Sequence, residues 1–191
     1  MHTPIPLEKS WRLLNHGPTV LVSAAHQGRR NVMAASWNMP LDFTPPKVAV
    51  VIDKNTVTCE LIKASGYFAL NVPSRALAAA TVQVGNRSAR DLPAGQDKFA
   101  WAGLQTFAGS LIGAPLIGGC LGWLECRVLP EPELAHKYDL YLAEIIAAHA
   151  DPRAFQDGHW NFAEGMPRSI HYIAGGHFFE SGEQFSEALP E

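Results

Sequence analysis

Two groups of polar side chains carry the clearest chemical potential in this sequence. Asn55, Thr56 and Thr58 stand where the apolar run KVAVVI gives way to TVTCELIKASG, and Ser88, Arg90 and Lys98 lie farther along, in a stretch rich in glycine, proline and charge. The first group has the residue types of a helix start. Such a start presents unpaired amides and the positive end of the helix dipole, so a phosphate placed there is stabilised without a glycine-rich loop. Arginine or lysine brought over from the second group would neutralise the remaining charge. The same residues also suit an ordinary cap and a solvated loop, and spacing alone leaves both readings open.

Other chemistries lack their signatures. There is no GxxxxGK[ST], GxSxG, HExxH or paired CxxC, and GGCLG at Gly118 to Gly122 does not match GxGxxG. His149, Asp151 and His159 are not spaced as recurring metal ligands, so no metal is expected. His171, which follows Arg168 and precedes a Gly-Gly turn, is the histidine best placed to face a cleft, although a structural role fits it equally. Cys59, Cys120 and Cys126 are odd in number and are expected to be reduced and buried.

The elements that must position these groups can be read in order. Thr19 to Ala25 and Asn31 to Trp37 have strand character, with HQGRR between them as a hairpin loop, and Lys47 to Ile52 suits a buried strand. TVTCELIKASG predicts a short helix capped by Thr56 or Thr58, with Glu60 early, Lys63 late and a stop at Gly66. Tyr67 to Val72 returns to strand and Pro73 closes it; Ser74 is expected to cap a second helix, RALAAATVQVG, before a loop from Gly85 to Gln96. CLGWLECRVL and YDLYLAEIIAAHAD are long strand candidates, the second apolar on both faces and therefore expected to be covered on both. Predominantly antiparallel strands with a few short helices predict a mainly β barrel.

One strand is unusual. NVMAASWNMP has small side chains where a strand normally carries β-branched bulk, which suggests that something lies against its backbone.

At 191 residues, 47% hydrophobic and 17% charged, the chain suits one globular domain. Fifteen Lys and Arg against 18 Asp and Glu leave a net charge of -3, with no footprint for nucleic acid and no polybasic membrane patch. The N-terminus lacks the apolar run of a signal peptide, and no run of about 18 apolar residues occurs, so the default location is cytoplasmic.

The succession NVMAASW, PLDFTPP, KVAVVI, NTVTCELIKASGYFALNVP, GNRSARD with DKF, and LECRV resembles the flavin reductase-like domain of the FMN-binding split-barrel superfamily, flavoredoxins included. The resemblance runs from about Gly17 to Asp151, and RSIHYIAGGHF is similar to the family's closing segment. It implies a single split-barrel domain over residues 1–191, antiparallel with Greek-key order and a few short helices, in which segment 152–191 completes the site.

It further implies FMN held non-covalently near a homodimer interface, with NADH or NADPH as hydride donor. Asn31, Val32, Met33, Ala34, Ala35, Ser36 and Trp37 would run along the flavin ring, although Trp37 also suits rim packing. Asn55, Thr56 and Thr58, with Ser88, Arg90 and Lys98, would hold its phosphate; Asn71, Val72, Pro73 and His171 would lie beside it. Hydride transfer between stacked rings needs no general acid or base, so no catalytic side chain is expected. Electrons would pass to free flavin, a monooxygenase or redox partner protein, or a small acceptor. The rival readings are an FMN electron carrier of the flavoredoxin type, a pyridoxamine-phosphate-type oxidase and a flavin-free binding protein of the same fold.

Overall fold

The computed structural model describes residues 3–13 and 17–187; residues 1–2, 14–16 and 188–191 of the expected domain lie outside that description. The chain enters with β1 (Thr3–Pro4) and a short 3-10 helix, then runs through β2 (Val20–His26), β3 (Arg29–Ala35), β4 (Asn38–Phe43) and β5 (Pro46–Val51). Helix α1 (Val57–Ser65) leads to β6 (Tyr67–Pro73), α2 (Ala78–Asn86), α3 (Lys98–Trp101), β7 (Thr106–Phe107) and β8 (Leu116–Ile117). The long strand β9 (Cys120–Val128), α4 (Pro132–Tyr138) and the longer β10 (Leu140–Ala150) follow. Two hairpins finish the described chain, β11 (Phe155–Gln156) with β12 (His159–Trp160), and β13 (Ile170–Ala174) with β14 (His177–Glu180).

Seven strands pair in the order β3-β2-β6-β9-β10-β5-β4, and β1 adds to β10. Every pairing is antiparallel. Neighbouring strands lie about 4.8 Å apart, so this path laid flat would be about 29 Å wide. Yet β3 and β4, its two ends, are joined by only Ser36 and Trp37, a link that reaches at most about 11 Å. The sheet therefore has to roll up. A bond from the Val51 amide to the Trp37 carbonyl, 3.0 Å, ties this link to β5, while β3 and β4 each pair with one neighbour only. The result is an antiparallel barrel open along one seam.

Two cores form on the two faces of this wall. Val20, Val22, Val48, Val50, Phe68, Leu70 and Ile145 fill the inside, and α1 adds Cys59, Leu61 and Ile62. Outside, Val84 of α2 and Phe99 of α3 cover Leu21, Val32, Ala69 and Trp123. The two-sided burial expected of β10 is instead strongest on β6 and on most of β9. Leu140, Leu142, Glu144 and Ile146 of β10 remain half-exposed because α2 and α3 cover only the other half of the barrel.

Local signals explain α1. The Thr56 hydroxyl accepts from the Cys59 amide at 3.1 Å, and Gly66, at φ 77°, ends the helix by donating its amide to the Ile62 carbonyl at 2.8 Å. A left-handed residue there favours glycine. Ser74 does not cap α2 as expected: its hydroxyl donates to the Gly119 carbonyl, and a 3-10 turn over Arg75–Leu77 intervenes. The elements beyond the sequence expectations include β4, α3 and α4. The three cysteines are free and buried, and Cys59 Sγ lies 3.1 Å from the Tyr141 hydroxyl.

Candidate functional site

The turn before α1 organises the first polar group. Asp53 accepts the Asn55 amide on its carboxylate at 2.8 Å, while its carbonyl accepts from both the amide and the hydroxyl of Thr56. Opposite, Ser88 caps a short turn by accepting the Arg90 amide at 3.2 Å. That turn aims the Arg90 guanidinium at the helix start, where it donates to the Asn55 carbonyl and to the Glu60 carboxylate. Asn55, Thr56, Ser88 and Arg90 are thus brought together. Arg29, the first residue of β3, joins them at 3.8 Å from Glu60. Sequence reasoning passed over it, although the adjacent arginines of HQGRR on a tight turn were a usable signal.

Beside this start runs the free edge of β3. The Asn31 carboxamide donates to the Thr58 hydroxyl at 3.0 Å, and the Thr56 hydroxyl lies 3.7 Å from Met33 Sδ. Asn31 is only 2% exposed, and its carboxamide oxygen has no partner among the described residues. An orphaned acceptor of this kind costs free energy until a donor reaches it. Thr58 itself is fully buried, so its hydroxyl serves Asn31 and not an open anion site.

The small residues of β3 answer to two neighbours. Val32 is buried beneath the outer helices, and a Cβ added at Gly85 of α2 would stand 3.2 Å from the Ala34 Cβ. Ala34 is small partly because α2 comes that close. Ala35 points into the barrel core. Of the segment Asn31 to Trp37, Ser36 and Trp37 are the exposed residues, the latter at 74%. There a cleft of about 140 Å³ opens between β3, α2 and the β13–β14 hairpin, lined by Ala34, Ser36, Thr81, Asn86, Tyr172 and Phe178 among others. The hairpin is anchored through Thr19, whose amide donates to the Ile170 carbonyl and whose hydroxyl accepts the Tyr172 amide at 2.8 Å.

Other expected site residues are placed elsewhere. Lys98 is 4% exposed, and its ammonium donates to the Val84 carbonyl near the end of α2, at 2.8 Å. Burial pushes its pKa down to about 8. Asn71 is buried inside the sheet with its carboxamide fully engaged, donating to the Leu21 carbonyl and the Ser23 hydroxyl and accepting from the Ile117 amide. Val72 and Pro73 are buried with it. His171 stacks on Phe179 at 4.6 Å between ring centroids, and its partial burial, set against a hydrogen bond to the Gly17 backbone, lowers its pKa. No grouping of three or more potential metal ligands occurs among the described residues.

An antiparallel barrel split along β3 and β4, with a basic helix start beside the split, defines the class: a split-barrel protein of the FMN-binding type. The chain belongs to the flavin reductase like domain family, which it matches over residues 12–170. It is similar to the FMN-binding domain of a flavin reductases-like enzyme from Shewanella baltica, with 46% identity, a TM-score of 0.93 and 98% of each chain covered. Protein YddH of Escherichia coli K12 is 42% identical over 95% of each chain. Flavoredoxin of Desulfovibrio vulgaris is 26% identical, with 90% of each chain covered and a TM-score of 0.74.

The residues present fit FMN. A phosphate ester suits the α1 start between Arg29 and Arg90, and the unpartnered Asn31 oxygen suits a hydroxyl donor of a polyol chain.

Proposed function

We propose that this protein is an FMN-dependent oxidoreductase that takes a hydride from NADH or NADPH and passes the electrons to free flavin, a monooxygenase or redox partner, or a small acceptor. FMN supplies the redox chemistry when bound. The observation that carries the reading is the alignment of the α1 start, with Thr56 and Arg90, along the free edge of β3 and toward the cleft at Ser36.

The chain's own residues bind and orient. Arg90 and Arg29 supply positive charge at the helix start, where Glu60 pre-orients both guanidinium groups. Asn31, held by Thr58, offers its free oxygen to a hydroxyl. Ser36 and the segment carrying Tyr172 and Phe178 border the ring site, with the exposed Trp37 next in the chain, which gives the C-terminal part of the domain its role. Lys98, Val32 and Asn71 to Pro73 support the site from beneath: Lys98 spends its ammonium on the Val84 carbonyl, and Asn71 spends its carboxamide on Leu21, Ser23 and Ile117. His171 stands by at the base of the C-terminal hairpin.

The homodimer forms part of the proposal. Along β4 the exposed positions are Met39, Leu41 and Phe43, continuing the line of Trp37, so an unpaired edge strand shows water an apolar stripe. A second copy covering it would remove that exposure beside the seam. The three unpaired thiols suit a reducing, cytoplasmic compartment. Among the described residues no helix is long and apolar enough to cross a membrane.

The likeness to flavoredoxin favours a second reading, an FMN electron carrier that does not turn over nicotinamide. Anaerobic mixing of the FMN-loaded protein with NADH and with NADPH separates the two. Bleaching of the visible flavin absorbance is the expected result, and stable absorbance with both donors would leave the carrier.

A further inference from the structure

A second concavity, about 550 Å³, lies where the latter half of α1 meets α4 and the start of β10. It shares no lining residue with the cleft at Ser36 and none with the group formed by Arg29, Asn55, Thr56, Ser88 and Arg90. Its size falls within the range of small-molecule sites, about 300 to 1,000 Å³. Ile62, Leu129, Ala135 and Leu142 form apolar walls, while Lys54 and Lys63 stand on the rim with one acidic residue, Glu131.

The charges on this rim are unevenly matched. Lys54 has only a distant carboxylate, Asp139 at 3.9 Å. Lys63 has no ion-pair partner among the described residues. Two ammonium groups at the edge of an apolar groove complement a molecule with one anionic head and a hydrocarbon body. We infer that the groove between α1 and α4 binds a small amphipathic organic anion, an aryl or medium-chain acyl carboxylate, at a site separate from the seam. The hydrocarbon displaces water from Leu129, Ala135 and Leu142, and the carboxylate meets Lys63 and Lys54.

The test uses the FMN-loaded full chain, isotopically labelled, titrated with octanoate and, separately, with naphthoate, with octanol as the neutral control. The expected result is saturable one-site binding at millimolar or lower concentration, with amide shifts clustered on Ile62, Lys63, Ala135 and Leu142. Lys63→Glu, an exposed substitution, should weaken the carboxylate about tenfold through lost charge complementarity and leave octanol binding and FMN affinity unchanged. Whichever carboxylate binds more tightly identifies the hydrocarbon body. Absence of saturable binding, shifts centred instead on Ser36 and Tyr172, or undiminished affinity in Lys63→Glu would each overturn the inference. The result stands apart from the flavin reading, since FMN affinity is measured independently on the same samples.

Discussion

The Asn31 carboxamide donates to the Thr58 hydroxyl at 3.0 Å, across 27 positions of sequence, and this contact fixes α1 against the free edge of β3. Both side chains are buried, so removal of either leaves a polar group without a partner in a dry environment. Thr58→Val keeps the shape and should lower stability by about 1–3 kcal/mol, the cost of a buried unsatisfied group. Asn31→Leu in the Thr58→Val background should cost much less than in the wild type. Urea denaturation of the two single variants and the double variant measures this coupling, and strict additivity would deny it.

Thr56 and Arg90 meet at the same helix start, one as its cap and the other through the Asn55 carbonyl. Hydrogen bonds to charged groups are worth about 1.5–3 kcal/mol, so Arg90→Ala should weaken FMN roughly tenfold to a hundredfold. Thr56→Ala should add a loss of about 1 kcal/mol in helix stability. Fluorescence titration with FMN gives the affinity and circular dichroism verifies the fold; unchanged affinity in Arg90→Ala would remove the phosphate assignment.

Lys98 behaves differently because its ammonium is buried against the Val84 carbonyl. Its pKa in the folded chain is about 8, below the ordinary lysine value of 10.5. Between those values the unfolded chain holds a proton that the folded chain has released, so the penalty for burying the charge is full below about pH 8 and fades as pH rises toward 10.5. Lys98→Met should therefore improve stability relative to wild type more at pH 7 than at pH 10. Melting curves at the two pH values test this, and an equal difference at both would mean that the charge is not the cause.

Glu125 is a buried carboxylate on β9 that accepts from the Ser110 hydroxyl and from the amides of Ser110, Leu111 and Ile112 at 2.7–2.9 Å. Burial alone would raise its pKa, but these donors outweigh burial and hold it below the usual carboxylate range. A depressed folded-state pKa means that its stabilisation is present above the unfolded value of about 4.3 and is lost as pH falls through the folded value. Glu125→Gln should destabilise by about 1.5–3 kcal/mol at neutral pH. The difference from wild type should shrink on acidification toward pH 3, as followed by urea denaturation. Gly109 allows this close approach, since a Cβ there would stand 2.8 Å from the carboxylate.

Much of the framework was legible in the sequence. Strands β2, β3, β5, β6, β9 and β10 appear within a residue or two of the expected runs, and α1 begins after Thr56 and ends at Gly66 as its residue types demand. β4 was hidden because Pro40 interrupts it, which an edge strand tolerates where a central one does not. The short α3 was hidden inside a charged loop, although Asp97 caps it by accepting from the Ala100 amide at 2.9 Å. The smallness of Ala34 is plain in the sequence, but its close neighbour Gly85 lies in a helix that only the packed barrel brings near.

The sequence by itself determined what depends on nearby residues: the cap of α1, the alternation that makes strands, the reduced state expected of three scattered cysteines, and the motif order that marks the family. Caps and side-chain alternation act over one to four positions, so they are written locally. Tertiary structure alone decided that Arg90 reaches the start of α1, that Lys98 turns away to Val84, and that Asn71 spends its carboxamide on Leu21, Ser23 and Ile117. These choices are made between distant segments competing for the same donors and acceptors. Rolling the sheet until two residues can join β3 to β4 settles which segments meet.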